Sequence, residues 1–305
     1  MLSNLADTAD SNMTLEPKKN SLYGQKRRTS DIVLKSLIYL STGITVIALL
    51  GILGYILANG LPYISWKFVS TPYSETRNDL KGILPMIINT MYIVVITLLI
   101  AAPIGISAAI YLTQYAKQGR LVKAIRFTTE VLSGIPSIIF GLFGLTVFCI
   151  MFRLGTSILA GGLTMTICIL PTIIRTTEES LISVPSSYKE GAMALGAGKL
   201  RVIVGIVLPC AMPGVLTAVI LAMGRIVGES AALLYTSGLT YNMPKGFVDP
   251  IMSGGRTLTL HLYQTAMMAS TPDALDIAFA TASILLILVF VLNRLASLLS
   301  RALRK

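Results

Sequence analysis

The sequence predicts an all-α membrane protein of six spans, on three observations. Hydrophobic residues make up 54% of the 305 and charged ones only 13%, with a mean hydropathy of +0.75, a balance outside that of soluble domains. Apolar stretches of span length recur along the chain, separated by polar ones. Lysine and arginine fall unevenly among those polar stretches: 18 on the side of the N-terminus against 6 on the other, with Arg225 left inside a span. That asymmetry predicts both termini in the cytoplasm.

The elements are taken in chain order. Residues 1–30 are polar and mixed in charge, and read as a disordered cytoplasmic tail; no short apolar stretch with a cleavage site marks a removed signal peptide. Residues 31–81 hold the first span, Leu37 to Ala58, and an outer loop with Tyr63, Trp66 and Tyr73, aromatics suited to a membrane interface. Residues 82–298 are the main transmembrane domain, with spans at about 83–112, 131–152, 156–174, 211–235 and 275–292. Pro103 is expected to kink the second span. Lys117, Arg120, Lys123 and Arg126 mark a basic amphipathic connector before the third. A polar loop at 176–209 separates the fourth span from the fifth, and 299–305 is a basic tail.

Composition also excludes. Cys149, Cys168 and Cys210 lie in apolar runs without a CxxC pair, and read as small buried hydrophobes. His261 is the one histidine, and a metal or catalytic role for it is not expected. The net charge of +11 fits cytoplasmic loops better than nucleic acid. A phosphate loop requires G-x4-G-K-[ST]; Gly198-Lys199 is the nearest approach, but Met193 stands five residues before Gly198 and Leu200 follows the lysine. No nucleophile–base pair is present. The chain is read as non-catalytic, without cofactor or metal.

The loop at 176–209 carries the most specific pattern. Glu190, Gly191, Ala192, Gly196, Ile206, Leu208 and Pro209 follow the spacing E-x-A-x3-G-x9-I-x-L-P. Physically this reads as two short helices joined at a corner. Ser187 and Glu190 have capping-box spacing, Pro185 disfavours continuation from the helix before it, and Gly196 and Gly198 can end the first helix in a left-handed residue. The pattern resembles the coupling (EAA) loop of bacterial ABC importer permeases, with Gly191 where the family commonly has alanine. The resemblance implies that this loop docks on an ATPase subunit.

Arg225 is the exceptional charge. It lies some 14 residues into the fifth span, about 21 Å along a helix, where an arginine costs roughly 2.5–3.5 kcal/mol and usually faces a cavity or a partner. Glu229 follows one turn on. Two readings stand side by side: an i, i+4 pair that neutralises itself, or an arginine held by the carboxylate so that its remaining donors meet a passing oxyanion. Gly224 and Gly228 form a GxxxG beside it, which admits a close helix neighbour.

Leu170 to Glu179, the run Gly224-Arg225-Ile226-Val227-Gly228-Glu229-Ser230-Ala231-Ala232-Leu233-Leu234, Asn89-Thr90, and Pro103 to Leu112 resemble the phosphate-specific permeases of the PstA family, over about Gly82 to Ala302. That resemblance implies the fold of a type I ABC importer permease with cytoplasmic coupling helices, in the bacterial inner membrane. It implies import of inorganic phosphate together with a PstC-like sister permease, a PstB-like ATPase dimer and a PstS-like extracytoplasmic phosphate-binding protein. Arg225 and Glu229 would lie on the substrate path. The alternatives are a permease for another oxyanion such as sulfate or molybdate, an ion-coupled secondary transporter, and a membrane scaffold; a secondary transporter would need midplane carboxylates and internal repeats, and Glu229 is the one mid-span carboxylate found.

Overall fold

The computed structural model describes residues 29–73, 81–241, 249–268 and 273–302. Among these the chain is helical, apart from turns and an isolated bridge between Tyr73 and Lys81. It divides into two units between Leu53 and Gly54. The first unit is the beginning of helix α1 (Thr29–Gly60). Its hydroxyl side chains bond back to their own helix, Thr42 to the Ile38 carbonyl at 2.7 Å and Thr45 to that of Ser41 at 2.8 Å, which satisfies polar groups inside an apolar run. Of the tail expected at 1–30, residues 1–28 lie outside the described residues.

The second unit starts with the end of α1 and a short helix α2 (Trp66–Ser70), capped by Ser65 on the Phe68 N–H at 3.2 Å. Helix α3 (Leu84–Ile110) carries Pro85 in its first turn, where no N–H is needed, and continues through Pro103 into a π turn at Tyr111–Tyr115. Helices α4 (Arg120–Gly134) and α5 (Ser137–Gly144) meet at 99°. The break falls at Ile135, extended at ψ 132, because the residue before a proline avoids the helical region. The bend falls inside the third span expected at 131–152. Residues 131–134 belong to the basic amphipathic α4, and the apolar segment is α5 with the π turn Leu145–Met151.

Helix α6 (Ile158–Ile182) is capped by Ser157 on the Ala160 N–H and stays helical through Pro171. It runs past 174, into the stretch assigned to the polar loop. Helix α7 (Ser186–Ala194) comes next, then α8 (Lys199–Val202), a π turn Ile203–Val207 and α9 (Leu208–Gly228), which together make one helical rod from Lys199 to Gly228. The chain then forms α10 (Ala231–Thr236), α11 (Asp249–Met252), α12 (Leu258–Met268) and α13 (Ala274–Ala302), the last extending into the expected C-terminal tail.

Helix α6 is the centre. Its most apolar window is 61% buried, against 28–33% for α3, α9 and α13. Ile93 of α3, Met165, Ile169 and Ile173 of α6, and Met223 and Ile226 of α9 share one core cluster. The close contacts fix directions. Gly162 meets Ile96 and Gly105 meets Ile173, so α3 and α6 run parallel. Gly214 meets Ser180 while Arg225 meets Thr172, so α9 runs antiparallel to α6. Two parallel spans require the chain to return between them, and α5 with its π turn is the apolar segment in that interval. Five helices are long and apolar enough to cross a membrane among the described residues, and six if α4–α5 counts as one bent span.

Candidate functional site

Arg225 comes from the last turn of α9 and is half-buried. Its Nη1 donates to Thr172 Oγ1 at 3.3 Å and its Nη2 lies 3.7 Å from Cys168 Sγ. These partners stand four apart on α6, one above the other on a single face. Both are neutral. The ion pairs of the described residues are Lys81–Asp273, Arg126–Glu178, Arg175–Glu130 and Arg175–Glu179; none involves Arg225.

The i, i+4 pairing with Glu229 is therefore not made, and the reason is the backbone. Helix α9 ends at Gly228, and Glu229 is extended at φ −81 and ψ 127, which takes it off the face that carries Arg225. Its Oε1 instead accepts the Ala232 N–H at 3.2 Å, capping the first turn of α10. The fifth span expected at 211–235 is thus two helices with a break at 229–230. Non-helical backbone at such depth is tolerated where protein buries it or a cavity borders it. The close neighbour expected at Gly224 and Gly228 is not supplied by the described residues: a methyl group at either would meet none of them within 4 Å.

At the other end of α9, the loop pattern Glu190 to Pro209 folds into two helices and a corner. The capping box does not form. Helix α7 starts at Ser186 after Pro185, with no side-chain cap, so Ser187 is already inside the helix. The corner does form: Gly196 takes φ +84, its N–H reaches the Met193 carbonyl at 2.9 Å, and the Ala197 N–H reaches that of Ala192 at 3.1 Å. This double bond pattern satisfies the last carbonyls of α7. Gly198 has φ −67 and precedes α8. Ala192 packs beside Leu181, Val184, Val202 and Val207, while Ile206 and Leu208 are half-buried. Glu190, Gly191 and Pro209 are exposed, and Leu195 is 90% exposed.

Sequence reasoning missed a second polar cluster. Arg256, counted among outer-loop charges, is buried, and so is His261. Burial, with the Arg256 charge adding to it, pushes the His261 imidazole down to about 3. The signal available was the company of Asn89-Thr90, Arg256 and His261, polar residues flanking apolar runs, but nothing in their spacing says that they meet. Of the cysteines, Cys149 and Cys168 are buried as expected, whereas Cys210 is exposed.

The family described as "Binding-protein-dependent transport system inner membrane component" matches residues 101–305. The chain is 34% identical to the probable ABC transporter permease protein YqgI of Bacillus subtilis, over 88% of this chain and 94% of that protein. It is 32% identical to the phosphate transport system permease protein PstA of Haemophilus influenzae, over 88% of this chain and 92% of that protein. Among solved structures, a bacterial alginate ABC transporter in complex with its alginate-bound periplasmic protein matches at a TM-score of 0.66 and 17% identity, over 90% of this chain and 96% of that one. That likeness concerns the fold. The chain belongs to the binding-protein-dependent inner-membrane permeases of ABC transporters, and within them it is PstA-like.

Proposed function

We propose that this chain is one permease subunit of an ATP-driven importer of inorganic phosphate, with Arg225 on the substrate path. The observation that carries the reading is the environment of that arginine. It is half-buried among packed helices, level with the middle of α6, and held by a hydroxyl and a thiol but no carboxylate. A guanidinium in that state keeps planar, bidentate donors for a tetrahedral oxyanion. The break after Gly228 supports the same reading, because discontinuous spans are where membrane transporters build substrate sites. Glu229 caps α10 and so sets the break next to the arginine, rather than neutralising it.

The coupling loop supplies the energy input. Glu190 and Gly191 are exposed on α7, the Gly196 corner is rigidly bonded, and Leu195 projects with almost no cover. An exposed leucine at the tip of a well-capped corner suits a groove in a partner. We read that partner as a PstB-like ATPase that performs the hydrolysis, with a PstC-like sister permease completing the path and a PstS-like binding protein delivering phosphate outside. Both termini are then cytoplasmic, and so is the coupling loop. Reconstitution of the chain with those three partners tests the function. ATP-dependent uptake of labelled phosphate is expected, resisting competition by sulfate and molybdate; uptake of sulfate or molybdate in preference would reassign the substrate.

A further inference from the structure

Arg256 is more deeply buried than Arg225, with 6% of its surface exposed. No carboxylate lies within 4 Å of it among the described residues. Its Nε donates to the Leu239 carbonyl at 3.1 Å and its Nη1 to the Tyr241 hydroxyl. Both partners are neutral, so among the described residues no counter-charge meets this guanidinium, in a place where an unpaired cation is costly. The Tyr241 ring centre lies 3.9 Å from the guanidinium carbon, and Tyr73 stacks on Tyr241 at 4.6 Å. His261 stands edge-on to Tyr73 at 4.8 Å, fully buried, with neither ring nitrogen hydrogen-bonded.

The place of this cluster in the bundle is defined by its bonds. Asn89, near the start of α3, donates to the Arg256 carbonyl at 3.2 Å, and the N–H of Ile158, the first residue of α6, reaches the Ser253 carbonyl at 3.0 Å. Thr259 Oγ1 donates to the Val227 carbonyl at 2.9 Å, two residues beyond Arg225. Arg256 therefore lies at the end where α3 and α6 begin. Arg225 lies opposite Cys168 and Thr172, 10 to 14 residues further along α6, about 15–21 Å of helix.

We propose that Arg256 is a second station for a small tetrahedral oxyanion, at the extracytoplasmic end of the route to Arg225, covered by the Tyr241–Tyr73 stack. The inference rests on the reading of the chain as an oxyanion permease. It accounts for the lack of a carboxylate beside Arg256 among the described residues: an internal counter-charge would neutralise the station, whereas a carbonyl and a phenol hold the fork in place and leave its charge for a ligand. His261, kept neutral, offers one ring N–H and adds no fixed charge that would trap the ion.

The test is uptake of labelled inorganic phosphate by vesicles holding the whole assembled transporter, normalised to assembled complex, with ATP hydrolysis measured in parallel. Arg256→Gln is expected to lower phosphate moved per ATP by about tenfold, as for the loss of a charge-assisted contact. Arg256→Lys, which keeps the charge but not the fork, is expected to lower it by about threefold. An Arg256→Gln complex that is scarcer but moves as much phosphate per ATP would make Arg256 a structural clamp and overturn the inference. Arg225→Gln separates the two levels. If it too leaves uptake intact, the oxyanion reading fails; if it alone abolishes uptake, only the second station fails. A measurement that spares Arg256 stands beside these. Tyr73→Cys in a background lacking Cys149, Cys168 and Cys210 is expected to react faster with an anionic thiol reagent than with a neutral one of equal size, and inorganic phosphate is expected to slow it. Equal rates, indifferent to phosphate, would count against an anion station there.

Discussion

A methyl group placed on Gly105 of α3 or Gly162 of α6 would meet Ile173 or Ile96 at 2.7 Å, whereas around Gly191, Gly196, Gly198 and Gly205 of the coupling segment nothing lies within 4 Å. The same residue type serves opposite ends in the two regions. Between the spans, where apolar lipid gives little drive for helices to associate, glycine lets backbones approach and gain contact area. In the coupling segment, open space surrounds it, and only Gly196 has a local backbone reason at φ +84. The packed bundle is complete within this chain at those crossings. The coupling segment is ordered by its own hydrogen bonds but leaves its outer surface bare. One region is filled by its own side chains, and the other is left with open space around it.

Substitutions can break that contrast, in descending order of effect. Arg225→Gln acts in the bundle, but on function: phosphate uptake is expected to fall about 100-fold, the order of a lost charged contact made without water. Adding Glu229→Gln is not expected to restore it, because the two do not pair; recovery in the double variant would mean that they neutralise each other in the working transporter. Gly196→Pro comes next. It forces φ near −65° where the chain needs +84°, costing about 3 kcal/mol locally, and is expected to uncouple ATP hydrolysis from uptake while the spans still insert. Pull-down of the ATPase with the variant checks this, and wild-type retention would sink the docking reading.

Gly105→Ala probes packing alone. Overpacking against Ile173 is expected to cost about 1–3 kcal/mol, read as earlier thermal unfolding in detergent with the coupling unaffected. Gly191→Ala is its counterpart, in a helix with space around it, and is expected to stabilise by about 0.5–1 kcal/mol; a loss of ATPase association in this variant would show that the partner fills that space. The last effect appears only in acid and stands outside that ranking. Since the folded His261 imidazole titrates near 3 rather than 6.5, its contribution to stability is full above pH 6.5 and is lost as pH falls from 6.5 toward 3. His261→Phe is expected to flatten that acid limb of the melting temperature, and an unchanged limb would mean that His261 is already solvated.

Apolar stretches of span length located the long helices, because a span must be apolar over its whole length whatever packs on it. It could not locate their breaks. Residues 211–235 read as one span since Glu229 and Ser230 are only two polar residues in a long apolar run; the break arises because the Glu229 carboxylate caps α10, a local bond that composition does not record. The connector hid in the same way, its last turn at 131–134 being apolar like the span after it. In the loop at 176–209 the two helices and the Gly196 corner were legible, whereas the capping box and a left-handed Gly198 were not found; the oddity of Arg225 was legible too, since its charge alone marks it. Its partners Thr172 and Cys168 were not, being ordinary residues on another helix. Arg256 and His261 escaped for the reason that burial is a tertiary property: each looks like a loop residue until α3, α6 and α12 are brought together.

The π turn at Ile203–Val207 has a consequence for how this chain tolerates insertion and deletion. In it the Leu208 N–H reaches back five residues to the Ile203 carbonyl, just ahead of Pro209, which has no N–H to give and crowds the carbonyl four residues before it. A π turn holds one residue more than an α turn while leaving the phase of the downstream helix unchanged. Deleting one residue there would close it to an α turn and keep Arg225 facing α6. The same deletion anywhere between Pro209 and Arg225 would turn that arginine by about 100° about the helix axis, away from Thr172 and Cys168. The helical rod from Lys199 to Arg225 thus has one place where its length can change without turning the arginine away from α6.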